Sequence, residues 1–201
     1  MGYDRQGTEE ALIAAVSTLL QRDGFAKMGV NAIAREAGVN KALIYRYFGG
    51  LEGLYTAFSR SQRIWPTLEE VLLNSLGDVD QRPWHVVIAE ILTQYAAAIR
   101  ARPITIDLLA WECAERNALT IAFESVREDF SNRLFAACYQ AGIQAPPQVQ
   151  GMITIAVSGI HYLAIRSRNI RVFSGVLVGE DAFWSTELQK VLQDLMQLQD
   201  Y

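Results

Sequence analysis

Apolar residues recur three and four positions apart along almost the whole chain, and this spacing restricts the fold more than any other feature. An α-helix turns once every 3.6 residues, so side chains three and four apart share one face that can be buried. Within residues 8–20, Leu12, Val16, Leu19 and Leu20 form such a stripe, on a helix that we expect to start near Thr8 as its N-cap. Alternation of polar and apolar residues, which would indicate strands, does not persist beyond a few positions. The pattern predicts an all-α protein.

Composition indicates a folded chain without a membrane span. Of the 201 residues, 51% are hydrophobic and 20% are charged, as in globular proteins. An apolar stretch at residues 151–165 is too short to span a bilayer, contains His161 and is followed by Arg166. The acidic N-terminus is unlike a secretory signal, so we expect a cytoplasmic protein. Cys113 and Cys138 lack metal-ligand spacing and are expected to be reduced thiols, with a regulatory disulfide as the alternative.

Residues 30–48, VNAIAREAGVNKALIYRYF, contain two short amphipathic segments separated by a glycine. Gly38 can adopt the left-handed backbone that a tight turn between helices requires, and Asn40 can cap the second segment. Ile44 and Phe48 are four residues apart, so they would both face the first segment. This arrangement predicts a helix-turn-helix.

The opposite face of the second helix would carry Lys41, Ala42 and Tyr45, with Arg46 and Tyr47 beside them. A small alanine permits close approach to a base pair, while lysine and tyrosine can donate hydrogen bonds to bases or phosphates. This face therefore predicts a helix that reads the major groove of DNA. The alternative is an ordinary solvated face with exposed aromatic rings.

These segments resemble the tetracycline-repressor (TetR/AcrR-like) family of bacterial transcriptional regulators. The likeness covers about residues 8–58 and includes GF at 24–25, IAREAGV at 33–39 and LIYRYF at 43–48. It implies base contacts and, for two residues, contacts with the phosphate backbone. The base-contact candidates are Asn31, Lys41, Ala42, Tyr45 and Arg46, and the backbone candidates are Leu43 and Tyr47.

Two positions depart from the pattern of the family. Gly29 stands where a Thr or Ser usually caps the first motif helix, and Leu51 stands where a phosphate-binding lysine is usual. Glycine is a tolerable cap, but the loss of one phosphate contact lowers both DNA affinity and its dependence on salt. Both departures are expected to weaken DNA binding.

The resemblance also implies a division of the chain and a homodimer. We expect a helix-turn-helix domain at residues 1–50, a connecting helix at 51–65 and an effector-binding and dimerisation domain at 66–201. The net charge changes sign at Pro66, where the last of these domains begins. Residues 1–65 hold eight Lys or Arg against six Asp or Glu (+2), and the remainder holds ten against sixteen (−6). In this family the last two long helices form the dimer interface, and both appear too apolar for burial on one side. The expected interface residues are Met152, Ala156, Gly159, Leu163, Leu188, Val191, Leu192 and Leu195.

Aromatic residues at helical spacing in the C-terminal part are candidates for a small-molecule site, because such sites are mostly apolar with a few polar anchors. The candidates are Trp84, Tyr95, Trp111, Phe123, Ser158, His161 and Tyr162. Core packing is the alternative for each of them, including His161. Arg100 and Arg102 could bind an anionic effector or could be surface residues. We expect no cofactor and no metal.

The sequence therefore predicts a regulator, most plainly a repressor, that binds a near-palindromic DNA operator as a homodimer and is released by a small, largely apolar or aromatic effector. An enzyme is the first rival, but the sequence shows no nucleophile elbow, phosphate loop or zinc spacing. The second rival is a helix-turn-helix module with degenerate DNA binding that acts through protein interaction.

Overall fold

A computed structural model describes residues 4–61, 64–73, 75–143 and 145–197. Over these ranges the chain forms helices and connecting turns, with no β-strand beyond one isolated bridge between Phe173 and Val176. The all-α prediction is confirmed. The helices are α1 (Arg5–Asp23), α2 (Val30–Glu36), α3 (Ala42–Phe48), α4 (Leu51–Ser59), α5 (Leu68–Leu72), α6 (Trp84–Arg100), α7 (Pro103–Ala114), α8 (Ala118–Gln140), α9 (Val149–Ser167) and α10 (Leu188–Gln197).

The first helix begins one turn earlier than its sequence suggests. Asp4, not Thr8, is the N-cap: its carboxylate accepts hydrogen bonds from the backbone N–H groups of Gln6 and Gly7, at 3.2 and 3.3 Å. Thr8 is buried, and its hydroxyl donates to the carbonyl of Asp4. An aspartate can satisfy two of the free N–H groups at a helix start, which explains why the helix extends to it.

One compact unit comprises the described residues up to Trp65 together with Trp111–Glu128. Its core is built from the apolar stripe of α1, the inner faces of α2, α3 and α4, and the first turns of α8. Helix α4 ends at Ser59 instead of continuing to Pro66. Trp65 follows it and packs edge-on against the fully buried Phe123, with ring centroids 5.2 Å apart.

The second compact unit comprises the described residues of Pro66–Ala110 and those from Asp129 onward. Helix α6 lies at its centre, in contact with α5, α9 and α10. Thr67 and Glu70 form a capping box at the start of α5, and Glu70 also accepts hydrogen bonds from Arg102 at 2.6 and 2.8 Å. These bonds lower the pKa of Glu70 and tie α5 to the corner between α6 and α7.

A turn of π-helix at Phe183–Glu187 leads into α10. Trp184 in this turn is buried, and its Nε1 donates a hydrogen bond to the carbonyl of Val178 at 2.8 Å. The guanidinium of Arg100, on α6, lies 4.5 Å from the centre of the Trp184 ring system. The hydrogen bond from the indole nitrogen and the cation–π contact with the ring together hold this turn in place.

The compact units do not follow the predicted division in full. Residues 111–128 pack with the N-terminal segment, although the sequence argument placed them in the effector domain because they follow Pro66. The functional boundaries at residues 50 and 65 remain predictions. No helix in the described ranges is long and apolar enough to cross a membrane.

Gly53 allows α4 to lie directly against the end of α3. A Cβ atom at this position would overlap the backbone carbonyl of Phe48, which cannot rotate away as a side chain could. We therefore predict that Gly53→Ala lowers the free energy of unfolding by about 1–3 kcal/mol, as overpacking of a close contact does. Urea denaturation followed by circular dichroism measures the change.

Thr56→Ala is the matched control for this prediction, because it alters the same helix and removes only a methyl group and the hydroxyl that is bonded to the carbonyl of Glu52. Equal unfolding midpoints for Gly53→Ala and Thr56→Ala would show that the two helices can separate without cost.

Candidate nucleic-acid interface and effector-domain residues

The turn between α2 and α3 has the hydrogen bonds of a Schellman motif. Gly38 adopts a left-handed backbone with φ +68°. Its N–H donates to the carbonyl of Arg35 at 3.2 Å, and the N–H of Val39 donates to the carbonyl of Ala34 at 3.0 Å. This pattern satisfies the free carbonyls at the end of a helix and reverses the chain within a few residues. The turn therefore fixes where α3 starts relative to α2.

Asn40 holds the first turn of α3. Its side-chain oxygen accepts a hydrogen bond from the backbone N–H of Ala42 at 2.9 Å. Lys41 already has helical backbone angles, φ −54° and ψ −27°, so it belongs to the same rigid turn. The predicted cap is present, and it sets the direction in which the Lys41 side chain leaves the helix.

Burial separates the two faces of the motif as the sequence argument requires. Ile33, Ala34 and Ile44 are buried, and Phe48 is half-buried. The five residues proposed to contact bases are all exposed, and Tyr45 is 58% accessible. Leu43 and Tyr47, proposed to lie along the phosphate backbone, are half-buried at the edge of this face. Lys41, Ala42, Tyr45 and Arg46 thus form an exposed face of α3, called the reading face below because the sequence predicts that it contacts bases.

An ion-pair network joins α2 to the long first helix. Arg22 lies 3.0 Å from Glu36 at the end of α2 and 3.0 Å from its neighbour Asp23. The hydrogen bond from Arg22 lowers the pKa of Asp23. Exposed pairs of this kind contribute little to stability, but they restrict the orientation of α2 against α1.

Arg5 lies beside the reading face, although the sequence gave no sign of it. Its guanidinium carbon is 5.5 Å from the centre of the Tyr47 ring, and that of Arg46 is 5.8 Å from the same centre. Glu9, one turn along α1, accepts a hydrogen bond from Nε of Arg5 at 2.7 Å. The position depends on the start of α1 at Asp4, which the prediction missed.

The two departures from the family pattern take clear positions. Gly29 is the N-cap of α2, with extended backbone and no side-chain cap. Leu51 is the first residue of α4 and is half-buried. Neither residue has a polar side chain that could bind DNA, and residues 49–53 contain no lysine or arginine.

Two of the effector candidates come together although they are 66 residues apart. The hydroxyl of Tyr95 on α6 lies 2.5 Å from Nε2 of His161 on α9. The Tyr95 ring also stacks on Phe130, with centroids 6.1 Å apart. This forms a largely buried polar pair within an aromatic cluster.

The remaining effector candidates are dispersed. Trp84 is half-buried at the start of α6, and the exposed Ser158 donates its hydroxyl to the carbonyl of Thr154. Tyr162 is exposed and packs edge-on against Phe173. Trp111 and Phe123 belong to the first compact unit, where Phe123 is core. The described residues contain no cluster of three or more His, Cys, Asp or Glu that could hold a metal ion.

The residues expected at the dimer interface divide into two groups. Leu188 and Leu192 on α10 and Ala156 on α9 are buried inside the protomer, so they pack its own core. Met152, Gly159, Leu163 and Leu195 are half-buried, and Val191 is exposed. The sequence argument held that both helices need burial on two sides. On α10 the stripe of Leu188 and Leu192 lies against α6, and an interface role for the accessible Val191 and Leu195 stays a prediction.

Residues 12–58 match the family model described as bacterial regulatory proteins, tetR family. Over this range the chain is similar to the TetR family. Proteins of this family are transcriptional regulators with a helix-turn-helix DNA-binding domain, and α2 and α3 lie inside the matched range. A similar sequence is the HTH-type transcriptional repressor SCO4008 of Streptomyces coelicolor (strain ATCC BAA-471 / A3(2) / M145), which is 28% identical over 156 residues, covering 77% of this chain and 71% of the relative.

Solved structures of TetR-family regulators share the fold. One from Streptomyces coelicolor has a TM-score of 0.51 and 18% identity, and the alignment covers 95% of this chain and 98% of the other. A TetR-like regulator from Rhodococcus sp. RHA1 has a TM-score of 0.53 and 18% identity, with 94% and 93% covered. At this identity the likeness concerns the fold alone, but it extends over nearly the full length of this chain and of both solved structures.

Proposed function

We propose that this protein is a TetR-family repressor that binds a near-palindromic operator as a homodimer and is released by a small, largely apolar or aromatic effector. The observation that carries the proposal is the exposed reading face on α3, which the Gly38 turn and the Asn40 cap hold rigidly. The similar protein of Streptomyces coelicolor is a transcriptional repressor, which supports this sign of regulation.

The reading face has the chemistry of a helix that enters the major groove. Lys41 can donate to guanine or to a phosphate, Tyr45 can reach a base edge, and Ala42 leaves room between them and can touch a thymine methyl. Tyr47, at the edge of this face, suits a phosphate oxygen. Since one short helix covers only a few base pairs, two copies related by a two-fold axis would read half-sites one or more turns apart, at roughly 34 Å per turn.

Selection of the purified protein against a random duplex library tests this proposal. We expect an enriched inverted repeat whose affinity falls as salt is raised, because bound phosphates release counterions. Absence of enrichment at low salt would contradict DNA reading and favour the rival, a degenerate module that acts through protein contacts.

With the selected duplex, Lys41→Ala and Tyr45→Ala should each weaken binding by about 1–3 kcal/mol for each half-site, the usual cost of a lost base contact. Fluorescence anisotropy with a labelled duplex measures it. Arg133→Ala, which removes a positive charge from an exposed position on α8, is the control and should leave the affinity nearly unchanged. Losses no larger than that of Arg133→Ala would exclude α3 as the reading helix.

The homodimer is supported by the outer face of α9. The inner face of this helix buries Ile153, Ala156 and Ile160, as expected for a core helix. Its outer face is also apolar: Ile155 is 72% exposed and Tyr162 is 49% exposed. A helix that is apolar on both sides requires a second burial partner.

Small residues on this outer face favour a second helix as that partner. Gly151 and Gly159 have open space where a Cβ would be, and the exposed Ser158 precedes Gly159. Small side chains allow two helices to approach closely, and a two-fold axis would place the same surface opposite itself. Tyr162 also continues the apolar surface to Phe173 and the exposed Val172.

Ile155→Lys should therefore convert the dimer to monomers without unfolding the chain, because the side chain it replaces is exposed in the protomer. Sedimentation equilibrium measures the change, and binding to the full inverted repeat should fall with it. Ile121→Lys introduces the same charge at another exposed isoleucine, on α8, and should leave the dimer intact. A dimer that survives Ile155→Lys would move the interface away from this face.

The Tyr95–His161 pair is the proposed polar anchor for an effector, since the Phe130 ring beside it supplies an apolar surface. Effector and operator binding are then coupled by about 1–3 kcal/mol in each direction. A library of small aromatic compounds, screened for release of the labelled duplex, should give compounds that lower DNA affinity at least about fivefold.

Tyr95→Phe keeps the ring and removes only the hydroxyl, so it should weaken the response to these compounds while DNA affinity without them is unchanged. Release that is equally strong in Tyr95→Phe would place the effector elsewhere.

A further inference from the structure

The first turn of α1 adds a second positive group to the edge of the reading face. The guanidinium of Arg5 lies against one ring, that of Tyr47, which is also approached by Arg46. The Arg5 side chain is 72% exposed. Two cations beside one tyrosine create a local positive potential at the point where the proposed interface needs to accept a phosphate, and residues 49–53 supply no other positive charge there.

The bonding of Arg5 leaves part of its guanidinium available. Glu9 accepts from Nε at 2.7 Å, while the two terminal amino groups have no hydrogen-bond partner among the residues that the structure describes. The two terminal amino groups of a guanidinium lie in one plane, so together they can bind a phosphate through two parallel hydrogen bonds.

The pair with Glu9 is suited to exchange. It is an exposed pair one helical turn apart on α1, and such pairs are weak in water because solvent screens them. A phosphate of the DNA backbone carries a full negative charge and would compete with the Glu9 carboxylate for the same cation. Glu9 therefore holds Arg5 over Tyr47 in the free protein and opposes the approach of DNA at the same place.

We infer that Arg5 is a phosphate-binding residue of the DNA interface, positioned over Tyr47 by Glu9 and transferred from Glu9 to a backbone phosphate when the operator binds. The inference rests on the proposed function, since it requires DNA against α3. It adds a contact from outside the helix-turn-helix, in a segment that precedes the residues matched by the family model.

Salt titration of operator binding tests the inference on the full-length dimer. Arg5→Gln should reduce the slope of log affinity against log salt by about two units, one for each subunit, and weaken binding roughly fiftyfold at 0.1 M salt, as expected for the loss of one phosphate contact in each half-site. Arg5→Lys retains the charge but not the planar fork, so its slope should stay near that of the wild type while its affinity falls a few-fold. Glu9→Gln removes the competing carboxylate and should raise the affinity a few-fold.

Arg60→Gln is the charge-matched control. Arg60 is exposed at the end of α4, roughly 14 Å along the helix from Leu51, at 1.5 Å per residue. This variant measures how much the loss of a positive charge outside the proposed interface changes operator affinity and its salt dependence. The folded state of each variant is checked by thermal melting, which exposed substitutions should leave unchanged.

The outcomes separate this inference from the proposed function. Wild-type binding with a steep salt dependence, together with an Arg5→Gln slope equal to that of Arg60→Gln, would overturn the role of Arg5 and leave the reading face in place. A lower affinity in Glu9→Gln would likewise contradict the exchange. Absence of salt-dependent binding by the wild type itself would instead remove the proposed function, and the inference with it.

A duplex with a single neutral methylphosphonate, moved along the backbone, locates the contact. One position should weaken wild-type binding but not that of Arg5→Gln, because the interaction is already lost in the variant. Additive losses at every position would mean that Arg5 binds no particular phosphate.

Discussion

The left-handed turn at Gly38 is the constraint on which the reading face depends. Without it, α2 would continue or end without the bonds from Gly38 and Val39 to the carbonyls of Arg35 and Ala34. Those bonds define where α3 starts, and Asn40 then fixes its first turn. The turn is local, but it decides which side chains face the core and which face outward. The absence of a Cβ at Gly53 extends the same constraint to α4, which lies against the carbonyl of Phe48.

The sequence was most informative where the relevant contacts are local. The faces of α3 follow from the helical period, so Ile44 inward and Tyr45 outward could be predicted from spacing alone. The start of α1 was harder, because Asp4 and Thr8 are both good caps and only the burial of Thr8 decides between them. Arg5 could not be recognised for the same reason: it lies close to Tyr47 only when α1 begins at Asp4.

Long-range packing accounts for most of what spacing could not predict. Nothing local indicates that Tyr95 meets His161, 66 residues away, or that Phe123 packs on Trp65. Spacing could not identify the packing partner of α10 for a related reason. Its leucine stripe fits equally well against a second protomer or against α6, and the structure uses it against α6. Helix α9 buries Ile153 and Ile160 while it exposes Ile155 and Tyr162, so the proposed interface rests on that helix.

The π-helical turn at Phe183–Glu187 determines the rotational setting of α10. A π turn contains one residue more than an α turn and often arises from a single insertion in a regular helix. Because Trp184 is anchored to Val178 and Arg100, the additional residue is taken up before α10 begins. Removing one residue here would rotate α10 by about 100°, one residue's share of a 3.6-residue turn. Leu188, Leu192 and Met196 would then no longer pack against α6, so the length of this turn determines which face of α10 is buried.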